Sequence, residues 1–146
     1  MTFQEAVESS KGLENSFQKG LGALGNHKGI VHASDTFSIN GSVDIDEAMK
    51  EAYPNANRWD YTIGYADQAY FVEVHPADSS QVAVMQEKLT WLKTMLKYEL
   101  QPLDKIKANR PYYWVYTNRV NIPKHTPQYR RAVSMGLLPV KSVELV

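Results

Sequence analysis

A chain of 146 residues, 43% hydrophobic and 22% charged, has the composition of a soluble folded domain long enough to bury a core without covalent staples. It has no Cys, which excludes disulfides, thiolate zinc sites and thiol nucleophiles. No apolar run reaches the roughly 18 residues of a membrane span, and Met-Thr-Phe-Gln-Glu is not a leader, so the expected setting is the cytoplasm with no membrane partner. The formal charge is zero but divided. Residues 1–75 carry 5 Lys/Arg against 11 Asp/Glu, and residues 76–146 carry 11 against 5. That asymmetry permits an anionic partner on the C-terminal part, although scattered surface lysines explain it nearly as well.

Thr2-x-x-Glu5 has capping-box spacing, so a helix is expected at the start. Phe3, Val7, Leu13, Phe17, Leu21 and Leu24 continue at helical intervals, with Gly12 as a break or kink. Gly20 to Gly29 is glycine-rich but lacks Gly-Lys-Ser/Thr, and reads as a helix end and turn instead of a phosphate loop. Short strands are expected at Ile30–His32 and Phe37–Ile39, with Asn40-Gly41 as a turn. Asp44-x-x-Glu47 reads as the capping box of a short helix before Pro54, which gives Asp44 and Asp46 a structural role in preference to a metal site.

Arg58 to Pro76 reads as two strands folded back on each other. With the turn centred between Asp67 and Gln68, Asp60 lies opposite His75 and Tyr61 opposite Val74. Period-two alternation then puts Tyr61, Ile63, Tyr65, Tyr70, Val72 and Val74 on one face and Asp60, Thr62, Glu73 and His75 on the other. Two carboxylates and an imidazole on one patch are a candidate site within reach of one divalent ion. The competing reading is the solvated polar face of a half-covered sheet.

Asp78-Ser-Ser-Gln81 is expected to open the strongest helix, with Val82, Met85, Leu89, Leu92 and Leu96 as its apolar stripe. Lys88 lies at the edge of that stripe, where a long side chain ordinarily snorkels to water. Gln101–Asn109 reads as a polar connection and Pro111–Thr117 as a buried strand. Thr126-Pro127 opens a helix that Gly136 ends, and Leu137–Val146 holds a last strand. The whole reads as one domain, 1–146. His27, His32 and His125 read as ordinary turn, strand and loop residues.

This order of elements, with an Asp on one strand and Glu-x-His on the next, resembles the PD-(D/E)XK nuclease superfamily. The resemblance implies an α/β fold with a mixed sheet, a restriction-endonuclease-like core of helix, three strands, helix and strand, and helices on both faces. Asp60 matches the family's first acid, Glu73 its second, and His75 the position usually held by Lys. Trp59 stands where a Pro is usual. Lys88 is placed to replace the missing lysine from the following helix, and Glu14 matches an extra acid some members carry on the first helix.

The resemblance implies Mg²⁺ or Mn²⁺ held by Asp60, Glu73 and the Val74 carbonyl, since hard ions take oxygen ligands. His75 would bind Mn²⁺ or orient and deprotonate water, and Lys88 would stabilise developing charge. Nucleic-acid contacts would come from Lys93, Lys97, Arg119, Lys124, Arg130 and Arg131. The alternatives are a domain of this fold without catalysis that binds a protein, a second copy or nucleic acid, and a two-carboxylate, one-His metal site for some other hydrolysis.

Overall fold

The computed structural model describes residues 1–146. Thr2 caps α1 (Phe3–Glu8) through the expected reciprocal bonds with Glu5. The helix stops there. Gly12 has φ +94°, which only glycine adopts without strain, and the chain turns away from helical geometry. The apolar spacing from Leu13 to Leu24 therefore belongs to turns and to a 3₁₀ stretch over Gly22–Ile30, broken at Gly25. β1 (Val31–Ala33) follows, and then a 3₁₀ turn at Thr36–Ser38 stands where a strand was expected. β2 (Ile39–Asp44) runs through Asn40-Gly41, which is a register irregularity inside the strand and not a turn.

Asp44 accepts from the Glu47 amide and caps α2 (Ile45–Met49), the role expected of it. The central hairpin is β3 (Tyr61–Tyr65) and β4 (Gln68–Val74). After β5 (Ala77–Asp78) comes a 3₁₀ turn at Ser79–Gln81, then α3 (Val82–Tyr98). Asp78 makes no capping bond to that turn; it accepts from the Ser80 hydroxyl instead. The remaining elements are α4 (Gln101–Lys105), β6 (Lys107–Val115), β7 (Val120–Asn121), α5 (Pro127–Ser134, capped by Thr126), β8 (Pro139–Val140) and β9 (Val143–Leu145).

Five strands form a mixed sheet in the order β2-β3-β4-β6-β8. β3 runs antiparallel to β2 and β4, whereas β4, β6 and β8 are parallel to one another. The chain thus has a mixed α/β architecture. Two further pairs, β1-β9 and β5-β7, lie outside this sheet. The hairpin register differs by two residues from the expected one, because Ala66 and Asp67 alone make the turn, both at positive φ. Tyr61 pairs with Val72, not Val74. A slip of two preserves parity, so the division of faces stands.

Each face of the sheet carries its own apolar cluster. Tyr61, Ile63, Tyr65 and Val72 join Ala23, Leu24, Val31, Val143 and Leu145 on one side, so the 3₁₀ stretch and the β1-β9 pair cover it. Phe71, Ala69 and Trp114 join residues from all five α-helices on the other. Helices were expected on both faces; the α-helices gather on one. Phe3 of α1 sits so close over the sheet that a Cβ on Gly64 would meet its ring at 2.2 Å. No helix is long and apolar enough to cross a membrane.

Candidate functional site

Asp60, Glu73, His75 and Lys88 meet under the N-terminal half of α3. Asp60 is the residue before β3 and Glu73 lies near the end of β4, and the two are laced by backbone bonds. The Asp60 amide donates to Glu73 Oε1 at 2.9 Å, and the Val74 amide donates to Asp60 Oδ2 at 3.0 Å. The two-residue turn makes this possible, because its register brings Asp60 level with Glu73 instead of with His75.

Lys88 reaches the same place from α3. Val82, Met85, Leu89, Leu92 and Leu96 bury the helix stripe, and Lys88 at its edge points inward instead of snorkelling. Its ammonium lies 3.2 Å from Glu73 Oε2 and donates to the Arg58 carbonyl at 2.9 Å. Glu73 is only 1% exposed, so this charge needs a partner, and Lys88 supplies it.

His75 stands just beyond β4, its amide bonded to the Val115 carbonyl and its own carbonyl to the Trp114 indole N–H. Its Nε2 is 2.7 Å from Gln81 Oε1. With an amide oxygen there, Nε2 carries the hydrogen and Nδ1 faces Glu73 Oε2 at 3.6 Å. Glu73 therefore favours a second proton on the ring and raises the imidazole pKa, with partial burial opposing. Asp60 is pushed up to about 7, chiefly by burial and then by the Glu73 charge, against the pull of the Val74 amide and Lys88. With Asp60 ionised and His75 neutral, the two acids carry more negative charge than Lys88 offsets, a surplus that a cation would satisfy.

The arrangement fits a divalent ion only in part. No three of the chain's His, Asp and Glu side chains are gathered to hold a metal, so Asp60, Glu73 and His75 are not the three-ligand clasp the spacing implied. The hairpin register is the reason: His75 lies past the strand end and is turned toward Gln81. What remains is the oxygen pair of Asp60 and Glu73. The second Asp60 oxygen is not sealed off, since the buried side-chain atoms lacking a partner are only Trp59 Nε1 and Trp91 Nε1. Carboxylate oxygens, once Asp60 is ionised, suit Mg²⁺ or Mn²⁺, which keep several waters.

Other expected site residues lie elsewhere. Glu14 is not on the first helix; it sits in the turn after it and accepts from the Gly12 amide. Lys93 and Lys97 share one cavity on α3, Arg119 lines a small depression beside Asp78 and Asn121, and Lys124, Arg130 and Arg131 are exposed near and on α5. None of the main cavities is lined by more than two of the six. His27 is more than a turn residue, because its Nδ1 lies 2.9 Å from the Tyr61 hydroxyl. Sequence reasoning missed Gln81, which fixes the His75 ring; Asp46, expected to be structural, pairs with Arg58 at 2.8 Å, a partner its capping run did not indicate. Gln81 carries no local signal of that role, because it sits in a helix-start motif.

No protein-family model, no curated protein and no solved structure matches this chain.

Proposed function

We propose that the chain is a Mg²⁺- or Mn²⁺-dependent phosphodiesterase of the restriction-endonuclease-like type acting on nucleic acid. One observation carries this reading: Asp60, just before β3, and Glu73 on β4 are bonded side by side, and Lys88 from the following helix pairs with Glu73. The order α1, β2, β3, β4, α3, β6 is in keeping with it. Asp60, Glu73 and the Val74 carbonyl are the groups that would hold the ion. When bound, the ion supplies Lewis-acid charge against the phosphoryl oxygens. Lys88 stabilises negative charge developing on phosphate and leaving oxygen. His75, unprotonated above its raised pKa, takes a proton from the attacking water at Nδ1, the nitrogen on the Glu73 side of the ring, while Nε2 is held by Gln81.

A second reading has its own observation. Both Glu73 oxygens already have partners, Oε1 the Asp60 amide and Oε2 Lys88. An acid so satisfied favours a domain of the same type that binds a protein or nucleic acid without cleaving it.

The deciding experiment incubates the protein with labelled single- and double-stranded DNA and RNA in Mg²⁺ or Mn²⁺, with Mn²⁺ calorimetry alongside. Cleavage that falls by about 10²-fold or more in both Glu73→Gln and Asp60→Asn supports the enzyme. Absence of both Mn²⁺ binding and cleavage assigns the chain to the second reading.

A further inference from the structure

Three extra residues in β6 open a trough beside the C-terminal half of α3. The β4-β6 ladder is in register at Ala69↔Lys107 and again at Phe71↔Tyr112. The intervening residues, Ala108 to Pro111, stand against Tyr70 alone, so the strand bows out. Bulges of this kind bend a strand and re-aim its side chains, and they recur beside binding sites. Two adjoining cavities follow the bow, of ≈ 540 Å³ and ≈ 700 Å³, sharing Lys93, Asn109, Pro111 and Tyr112. The trough is separate from the acidic pair. Lys93 is five residues beyond Lys88 on α3, about 140° further round the helix.

The two chambers differ in chemistry. In the first, three lysines meet a single carboxylate, Asp104, which is already bonded to Lys107 at 2.7 Å. Lys93 and Lys97 have no acidic partner. Each instead lies 5.3 Å from a tyrosine ring, Tyr112 and Tyr98 respectively. The second chamber is largely apolar, walled by Tyr112, Met135 and Leu138, and carries Arg110 with no carboxylate among its lining residues. A ligand filling both needs an anionic end and a planar apolar body. Each volume lies in the range of small-molecule sites, about 300–1,000 Å³.

We propose that this trough binds a phosphorylated planar small molecule, of the chemical class of a nucleoside monophosphate. The phosphate lies between Lys93 and Lys97, and the ring packs against Tyr112, Met135 and Leu138. A phosphate monoester carries about 1.5 to 2 negative charges at neutral pH, matching the two unpaired lysines.

The test is calorimetric titration of the whole chain with 5′-AMP, adenosine and inorganic phosphate in separate runs. AMP is expected to bind at least about tenfold more tightly than either fragment. Lys93→Glu should weaken AMP about tenfold or more. Leu138→Asp should weaken AMP while leaving inorganic phosphate unchanged. Both positions are exposed, so circular dichroism should show the native fold in each variant. AMP binding no tighter than phosphate, or a Lys93→Glu variant that binds AMP like the parent, overturns the proposal.

Discussion

The Lys88 ammonium lies 3.2 Å from Glu73 Oε2, and the glutamate it neutralises is buried between the sheet and α3. A buried ion pair adds little net stability, because desolvation consumes most of the attraction, but removing one partner strands the other. Lys88→Met should therefore destabilise the fold by about 3 kcal/mol or more in denaturant titration. The double variant Glu73→Gln/Lys88→Met should lose clearly less than the two single losses together. A Lys88→Met loss below about 0.5 kcal/mol would mean that Glu73 finds its counter-charge elsewhere.

Asp60 gives stability a pH dependence of unusual sign for a carboxylate. Its folded pKa is raised from 3.8 to about 7, so between those values the folded state holds a proton that the unfolded chain has lost. Stability then falls as pH rises through that window. His75 acts in the same sense, since its raised pKa contributes stability that is lost as pH climbs through the folded value. The melting temperature should decline from about pH 5 to pH 8, and Asp60→Asn should remove most of the decline. A parent profile that is flat or rising over that range contradicts the buried placement of Asp60.

Divalent ions should act on the same slope. If Asp60 and Glu73 hold Mn²⁺, the ion relieves the repulsion between them. Metal at a hundredfold excess over its dissociation constant should then stabilise the fold by about 2.7 kcal/mol. The gain should be largest near pH 8, where Asp60 is ionised, and small near pH 5, where it holds a proton. Thermal melts of the parent and of Asp60→Asn, with and without Mn²⁺, separate this from general salt effects. Equal stabilisation of both proteins would remove Asp60 from the ion's ligands.

The four residues of the cluster were legible because they obey short-range rules. Asp60 and Glu73 face the same way by strand parity, which survives any even error in register. Lys88 stands out at the edge of a regular helix stripe. The failures have local causes. Asn40-Gly41 looks like a turn, yet lies inside β2, where the Gln18–Ser42 bridge ties that strand to the preceding chain. The spacing from Leu13 to Leu24 mimics a helix, yet turns and a 3₁₀ segment carry these side chains to both faces of the sheet, Leu13 and Phe17 to one cluster and Leu21 and Leu24 to the other. The trough at Ala108–Pro111 has no sequence signature at all, since it arises from a mismatch in length between two strands far apart in the chain.

The hairpin shows the same limit in a form that can be tested. A two-residue turn with positive φ at both positions ordinarily carries Asn-Gly or Asp-Gly. Here the positions are Ala66, at φ 49°, and Asp67, at φ 57°. Ala66 carries the left-handed strain that hid the turn, whereas Asp67 earns its place by accepting the Phe3 amide at 2.9 Å. Ala66 is exposed and its amide bonds the Ser38 carbonyl, which any residue but proline preserves. Ala66→Asn should therefore stabilise the fold by about 0.5–1 kcal/mol, because asparagine tolerates that conformation better. Ala66→Val should destabilise it by at least as much, since β-branching clashes there. Denaturant midpoints for the two variants give the answer. A stabilising valine would require the turn to sit elsewhere, and with it the register that sets Asp60 level with Glu73.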